Sequence, residues 1–528
     1  MSKHQAFNPY LPSWEYVPDG EPYVFGDRLY VFGSHDRFNG EGFCLNNYVG
    51  WSAPVDDLSD WRYEGVIYDR LQDPLNKKGN MYMNAPDVCQ GPDGRYYLYY
   101  QLHLDTGCSI AVADAPAGPY SYYGSVVWPD GTRYGEKKGD AYPFDPGVLA
   151  DDDGRIFLYT GFGLGPGGFR TLMKMRGGSV DGGSVVELES DMKTIRGQQY
   201  ATVPGPIASK GTLYEGHAFF EASSIRHIGE RYYLVYSSEL SHELCYATSD
   251  TPTGPWTYGG ILVSIGDIGL PGVSADNARN FTGNTHGGMV CIRGQWYIFY
   301  HRQTNRQKCA RQGCAEKITI REDGRIAQAE ITSCGLNDGP LEGSGTYEAR
   351  IACNLRGAQG TYAYVDVHHK EKEYPYFTQS GEDYEPAGAG TAEAARDPRA
   401  TQSGGSRVGA EAAHNPHATQ SGGEREGIEG GQYIANMRQG AVAGFKYFAF
   451  DGENRIEAVL RGSGEGKLLV STEEGGAPAF TIEVTPSETW QRFEASGGPL
   501  SGVLPLYFRY EGSGAVDFQA FTIGRIHW

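Results

Sequence analysis

Five segments of the chain share one pattern, a turn-forming start followed by alternating or continuous aromatic and aliphatic positions. They are GDRLYVF (26–32), DGRYYLYY (93–100), DGRIFLYT (153–160), GERYYLVY (229–236) and GQWYIFY (294–300). Each predicts a hairpin turn leading into a strand. Aligned on the aromatic after the turn, Tyr30, Tyr97, Phe157, Tyr233 and Tyr297 recur every 60 to 76 residues, which is room for one four-stranded blade with its loops. A second motif follows in several blades, WSAPVDDLSDW (51–61), VADAPAGPYSY (112–122) and TSDTPTGPWTY (248–258), and predicts a common turn between outer strands. Repeats of this period without long helical stretches predict an all-β fold whose first unit, residues 1–340, is a five-bladed β-propeller, closed radially with few exposed edges.

Beyond that unit, TYEARIACNL (346–355), TYAYVDVHHK (361–370), RIEAVLRG (455–462), AFTIEVT (479–485), LPLYFRYEG (504–512) and AVDFQAFTIG (515–524) predict further strands without the blade spacing. They define a second domain, a β-sandwich of jelly-roll type over 345–528. Within it, residues 382–424 collapse to Ala, Gly, Ser, Arg and Glu, and TQSG occurs at 378–381, 401–404 and 419–422. This composition predicts a low-complexity insertion.

Composition narrows the chemistry. Gly supplies 75 of 528 residues and aromatics 13%, a bias towards turn-rich β-structure. A formal net charge of −20 repels phosphate backbones, so nucleic acid is excluded as a partner and neutral or cationic ligands remain. No run of 18 apolar residues occurs, which argues against a membrane role, and the opening MSKHQAFNPY lacks a signal-peptide pattern, so a cytoplasmic protein is expected. The nine cysteines are odd in number and scattered from Cys44 to Cys353, which does not make a disulfide framework, and Cys309 and Cys314 lack the second pair that a zinc site of that spacing needs.

The innermost strands of a propeller converge on one axis. Ten to twelve residues upstream of each aligned aromatic stand Asp19, Asp87, Asp145, Glu221 and His286, four acids and one histidine at an equivalent point of five blades. Gathering like charges away from water is unfavourable unless a proton, metal or ligand compensates, so such clusters are commonly functional. Carboxylates facing each other suit glycoside hydrolysis, with one protonating the leaving oxygen and the other activating water or attacking carbon. Asp19 and Glu221 form the natural pair, and Asp145 is placed to raise the donor's pKa by repulsion. A histidine ringed by acids suits a cation, and hard oxygen ligands favour Ca²⁺ over zinc.

These residues resemble the five-bladed-propeller enzymes of glycoside hydrolase family 43, the β-xylosidases and α-L-arabinofuranosidases. NPYLPSWEYVPDGEPYVFGDRLYVFGSHD (8–36), FDPGVLADDDGRIFLY (144–159), FEASSIRHIGERYYLVYSS (220–238) and THGGMVCIRGQWYIFYHR (285–302) carry the resemblance. It implies Asp19 as general base, Asp145 as the orienting, pKa-modulating acid, Glu221 as general acid and His286 as a residue that helps bind a central calcium through waters. Two departures leave rivals, Glu21 for the base and Glu215 for the acid. GQYIANMRQGAVAGFKYFAF (431–450) and LYFRYEGSGAVDFQAF (506–521) resemble carbohydrate-binding module family 6, with a packing role expected over sugar binding. The family is inverting, which implies a base-to-acid carboxyl separation of about 6.5–9.5 Å. Neutral pentoses need hydrogen bonds and a stacking surface, for which Phe32, His35, Asp36, Trp51, Asp87, Arg170 and Arg311 are the candidates. The expected function is release of terminal β-D-xylose or α-L-arabinofuranose from small oligosaccharides, with an endo-arabinanase or a non-catalytic calcium-dependent sugar-binding propeller as alternatives.

Overall fold

A computed structural model describes residues 5–38, 40, 42–175, 177–363, 373–379 and 431–526. The insertion expected at 382–424 and most of the strand expected at 361–370 lie outside the described residues.

Five antiparallel sheets follow one another along the chain. The first holds β1 (Glu21–Phe25), β2 (Arg28–Phe32), β3 (Tyr48–Pro54) and β4 (Arg62–Tyr68), and the second β5 (Asp87–Gln90), β6 (Tyr96–Tyr100), β7 (Ser109–Ala113) and β8 (Ser121–Ser125). The third holds β9 (Gly147–Ala150), β10 (Ile156–Gly163), β11 (Asp181–Leu188) and β12 (Ile195–Pro204), with a short helix, α1 (Gly168–Met175), between β10 and β11. The fourth holds β13 (Phe219–Ile228), β14 (Arg231–Ser238), β15 (Glu243–Ser249) and β16 (Thr257–Ser264). The fifth has three strands, β17 (Met289–Ile292), β18 (Gln295–Thr304) and β19 (Gln307–Ile318). Strands pair in chain order within each sheet, which is the meander of a propeller blade.

Each repeated motif is the second strand of its blade, entered through a hairpin whose turn demands a left-handed residue, as at Gly154 with φ of 84°. The alternation buries aromatic layers between neighbouring blades, such as Tyr30, Tyr48, Tyr68 and Tyr100. The fifth blade differs from the four-stranded expectation. Residues near the start of the chain complete it instead, since Tyr10 N–H donates to Gly313 O at 3.2 Å and the Asn8 side chain exchanges hydrogen bonds with both backbone groups of Ala315.

After the fifth blade, ten strands among the described residues form one sheet folded around an apolar core that includes Phe445, Phe448, Phe508, Phe518 and Phe521. Two of its strands are unusually long, Val442–Gly462 and Ser487–Ser513, and their pairing is broken by bulges at Phe445/Phe448 and Asp451/Glu453 that let the sheet turn back on itself. The segment expected as one strand at 346–355 is split. Strands Gly345–Glu348 and Asn354–Arg356 flank a 3₁₀ turn at Ala349–Ile351, because the chain there leaves one partner strand, Val516–Gly524, for another, Val442–Gly462. This unit packs on the propeller. Lys446 is buried against Asp267 at 3.3 Å and Glu330 at 2.9 Å, and Arg302 donates to Ala352 O and Arg350 O while lying 3.8 Å over the Phe377 ring.

Candidate active site

At the propeller axis, Arg226 of β13 reaches across to β1, donating to Glu21 Oε2 at 3.1 Å, and to β17, donating to Met289 O at 2.6 Å. Ser224 donates to the same Glu21 oxygen at 2.9 Å. The side chains crowd Gly288 so closely that a Cβ there would fall 2.4 Å from Glu21 Oε2 and 2.5 Å from Ser224 Oγ.

Asp19 and Asp145 stand immediately before the innermost strands of blades one and three, both in left-handed conformations with φ of 57° and 45°, and Ala222, which follows Glu221, has φ of 71°. Non-glycine residues adopt this region only where the surroundings over-determine it, and such strain concentrates at functional sites. Asp19 is buried and its Oδ1 accepts from Arg311 Nη1 at 2.8 Å. Arg311 also grips Asp36 with Nε at 2.8 Å and Nη2 at 3.0 Å, and Asp36 accepts further from Cys44 N–H. The Asp19 N–H donates to His301 Nδ1 at 3.2 Å, and His301 Nε2–H in turn donates to Asn284 O at 2.8 Å. His301 is thereby neutral, and burial and the Arg311 charge push its pKa down to about 3. Phe43 covers the Arg311 guanidinium at 4.8 Å.

The acids sit in opposed electrostatic environments. Burial works against ionised Asp19, but the Arg311 charge, with His286 and Ser34, outweighs it and holds its pKa below the usual carboxylate range. Glu221 is pushed well above that range, first by burial and then by the charge of Asp145, with Asp19 adding to the repulsion. Three rings from the flanking segments pack together: Phe220, which precedes Glu221, lies 5.2 Å from Phe162, which lies 5.0 Å from Phe144, the residue before Asp145. Asp145 is also raised by burial, although His286 Nδ1 lies 3.5 Å from its Oδ2. His286 is pushed up to about 9, its burial overcome by Asp145 and then by Asp19 and Glu21.

The rivals sit differently. Glu215 is exposed and accepts from Gly211 N–H in its own turn, whereas Glu221 shares the field of Asp19 and Asp145. Glu21 lies on the axis with Oε2 held by Ser224 and Arg226, and its Oε1 has no hydrogen-bond partner among the described residues. His286 Nε2 likewise lacks one, and the two atoms are 3.8 Å apart. Orphaned polar atoms in a buried setting mark a place for water or an ion.

Of the seven proposed wall residues, only Asp36 and Arg311 are brought to Asp19. Trp51 is fully buried in the first blade, donating to Glu15 Oε2 at 2.9 Å, and His35 lies 3.1 Å from the other oxygen of Glu15. Phe32 is buried in the layer between blades one and two. Asp87 is fully buried and accepts from Tyr23 OH, Val88 N–H and Val148 N–H, tying blades one, two and three together. Arg170 spends its guanidinium on Leu164 O, Val180 O and Asp181. Residues not singled out from the sequence are His301, Phe43, Phe144, Phe162 and Phe220. His301 stands in the quoted 285–302 motif, and two of the phenylalanines directly precede Asp145 and Glu221, which is the signal that the sequence offered.

The family model described as Glycosyl hydrolases family 43 matches residues 23–326. Asp145, Glu221, His286 and Arg311 fall within that range and Asp19 lies four residues before it. The chain is 46% identical over 523 residues to a xylosidase/arabinosidase of Thermoclostridium stercorarium, with 99% of both chains covered. It is 29% identical over 311 residues to a β-xylosidase of Xylanibacter ruminicola, covering 54% of this chain and 88% of the relative. A solved structure of a family 43 arabinoxylan arabinofuranohydrolase from Bacillus subtilis, in complex with cellotetraose, aligns over 97% of this chain and 96% of that one at 18% identity and a TM-score of 0.47.

Proposed function

Because the chain belongs to glycoside hydrolase family 43, it is a glycoside hydrolase, and we propose that it releases terminal β-D-xylose and α-L-arabinofuranose from xylo- and arabino-oligosaccharides by a single displacement with inversion. The observation that carries this reading is the divergence of Asp19 and Glu221 at one site, Arg311 drawing the pKa of the first down and burial with the Asp145 charge pushing that of the second well up. Opposed environments of this kind assign base and acid. Asp19, oriented by Arg311 and His301, removes a proton from the attacking water. Glu221 gives its proton to the departing glycosidic oxygen. Asp145 keeps that proton on Glu221 until the bond breaks, because its charge disfavours the Glu221 carboxylate.

The sugar specificity rests on the relatives of that name. Calcium belongs to the same proposal. Glu21 Oε1 and His286 Nε2 would hold it, largely through waters, since Ca²⁺ takes six to eight oxygen ligands. When bound it would supply positive charge to the site that gathers the acids.

The test is hydrolysis of aryl β-D-xyloside and aryl α-L-arabinofuranoside by the wild type and Glu221→Gln, with the configuration of the released sugar followed by NMR, each with calcium and with a chelator. The expected result is inverted product and a loss of about 10² or more in kcat for the variant. Retained configuration, or an unimpaired variant, refutes the assignment.

A further inference from the structure

Four residues before Glu221 stands His217, in the turn that leads into β13. Glu243 and Cys245 lie two apart on β15, so their side chains project from one face of that strand. The three meet. His217 Nδ1 is 2.6 Å from Glu243 Oε1, and Cys245 Sγ is 3.4 Å from the same oxygen and 4.0 Å from His217 Nδ1. Their positions are fixed from outside. Tyr236 OH donates to His217 O at 2.8 Å, Glu239 N–H donates to Ala218 O at 2.8 Å, Ser238 OH donates to Glu243 Oε1 at 2.7 Å, and the His217 ring stacks on Tyr258 at 5.3 Å. Glu243 and Cys245 are buried, whereas the His217 side chain is 30% exposed and opens the cluster to solvent. The hydrolytic reaction uses none of the three.

We propose that His217, Glu243 and Cys245 form a binding site for a divalent transition-metal ion of the zinc class. Imidazole, carboxylate and thiolate together suit a borderline-soft cation rather than calcium or magnesium. A tetrahedral zinc ion sets such ligand atoms about 3.4–3.6 Å apart, so each edge of the observed triangle differs by less than about 1 Å, within reach of a rotation of the half-exposed His217. Binding releases the Cys245 thiol proton to solvent and displaces the proton that His217 Nδ1 shares with Glu243, so that the Nδ1 lone pair meets the metal and the imidazole keeps one proton, on Nε2. Two anionic ligands and one neutral ligand balance the ion's charge, as burial requires. The fourth position is left to water on the His217 side.

The purified full chain, freed of metal with a chelator and desalted, is titrated with Co²⁺ and then Zn²⁺. One equivalent of Co²⁺ should give thiolate-to-metal charge-transfer absorption in the near ultraviolet, displaced by Zn²⁺ and not by excess Ca²⁺. Cys245→Ser should abolish that band, while Cys291→Ser, at a half-buried cysteine elsewhere, should keep it. His217→Ala should weaken Co²⁺ binding by more than the roughly 10- to 100-fold typical of losing an outer-shell partner. Circular dichroism establishes that the variants are folded, and His217→Ala alone decides if Cys245→Ser is not. A band that survives Cys245→Ser, affinity unchanged in His217→Ala, or no saturable Co²⁺ binding overturns the proposal.

Discussion

Arg311 Nη1 lies 2.8 Å from Asp19 Oδ1, joining residues 292 positions apart in the chain. The same guanidinium forks onto Asp36, so the group that keeps Asp19 ionised is itself locked in place. Arg311→Lys retains the charge and loses the fork. We expect kcat/KM to fall by about tenfold or more, and the acid limb of its pH profile to move to higher pH. The sign follows from linkage, since Asp19 is depressed by its partner and must be ionised to act as base. An acid limb that stays put in a pH–rate profile would remove Arg311 from this role.

Asp145→Asn acts on the other limb. The Asp145 charge is the largest electrostatic contribution raising Glu221 beyond burial itself. Without it the Glu221 pKa falls, the proton is lost at lower pH, and the alkaline limb moves down. The rate at the optimum should drop by about 10². Glu221→Gln, measured beside it, should abolish the alkaline limb altogether.

Asp87 is expected to matter for stability and not for substrate. Its pKa is pushed up to about 7, foremost by burial, and its oxygens accept from three donors. Asp87→Asn turns an amide N–H₂ towards at least one of them, which costs about 1–3 kcal/mol. The melting temperature should fall by several degrees while KM for an aryl glycoside stays within about twofold. A large rise in KM would return Asp87 to the substrate wall.

Lys446 helps hold the two units together. Its side chain is 1% exposed between Asp267 and Glu330, and Lys446→Met leaves buried Asp267 with Arg279 at 3.4 Å as its remaining cation, at a cost of at most about 3–5 kcal/mol. Calorimetry should show a single transition in the wild type split into two in the variant. A variant that melts as one unit at the wild-type temperature would show that other contacts suffice.

Much of the propeller was legible because period-two burial and hairpin glycines repeat with the blade. The convergence of Asp19, Asp145 and Glu221 was legible for the same reason, since equivalent positions of a radial fold share an axis. What each axial residue faces was not. Asp87 occupies the equivalent position in its blade but is consumed by Tyr23 and Val148, and that depends on how blades pack and not on spacing. Trp51 has the composition of a sugar platform, yet strand alternation turns it into the blade core beside Glu15. The three-stranded fifth blade was equally hidden, because its completion by Asn8 and Tyr10 joins segments that share no motif.

That completion sets an order of events during synthesis. Tyr10 has no Gly313 to bind and Asp19 no Arg311 until the fifth blade has left the ribosome. Non-local closure of this kind is slow and comes late. A nascent chain carrying four finished blades therefore already holds Asp145 and Glu221 but lacks an oriented, ionised base, and hydrolytic competence arrives in one step when the ring shuts.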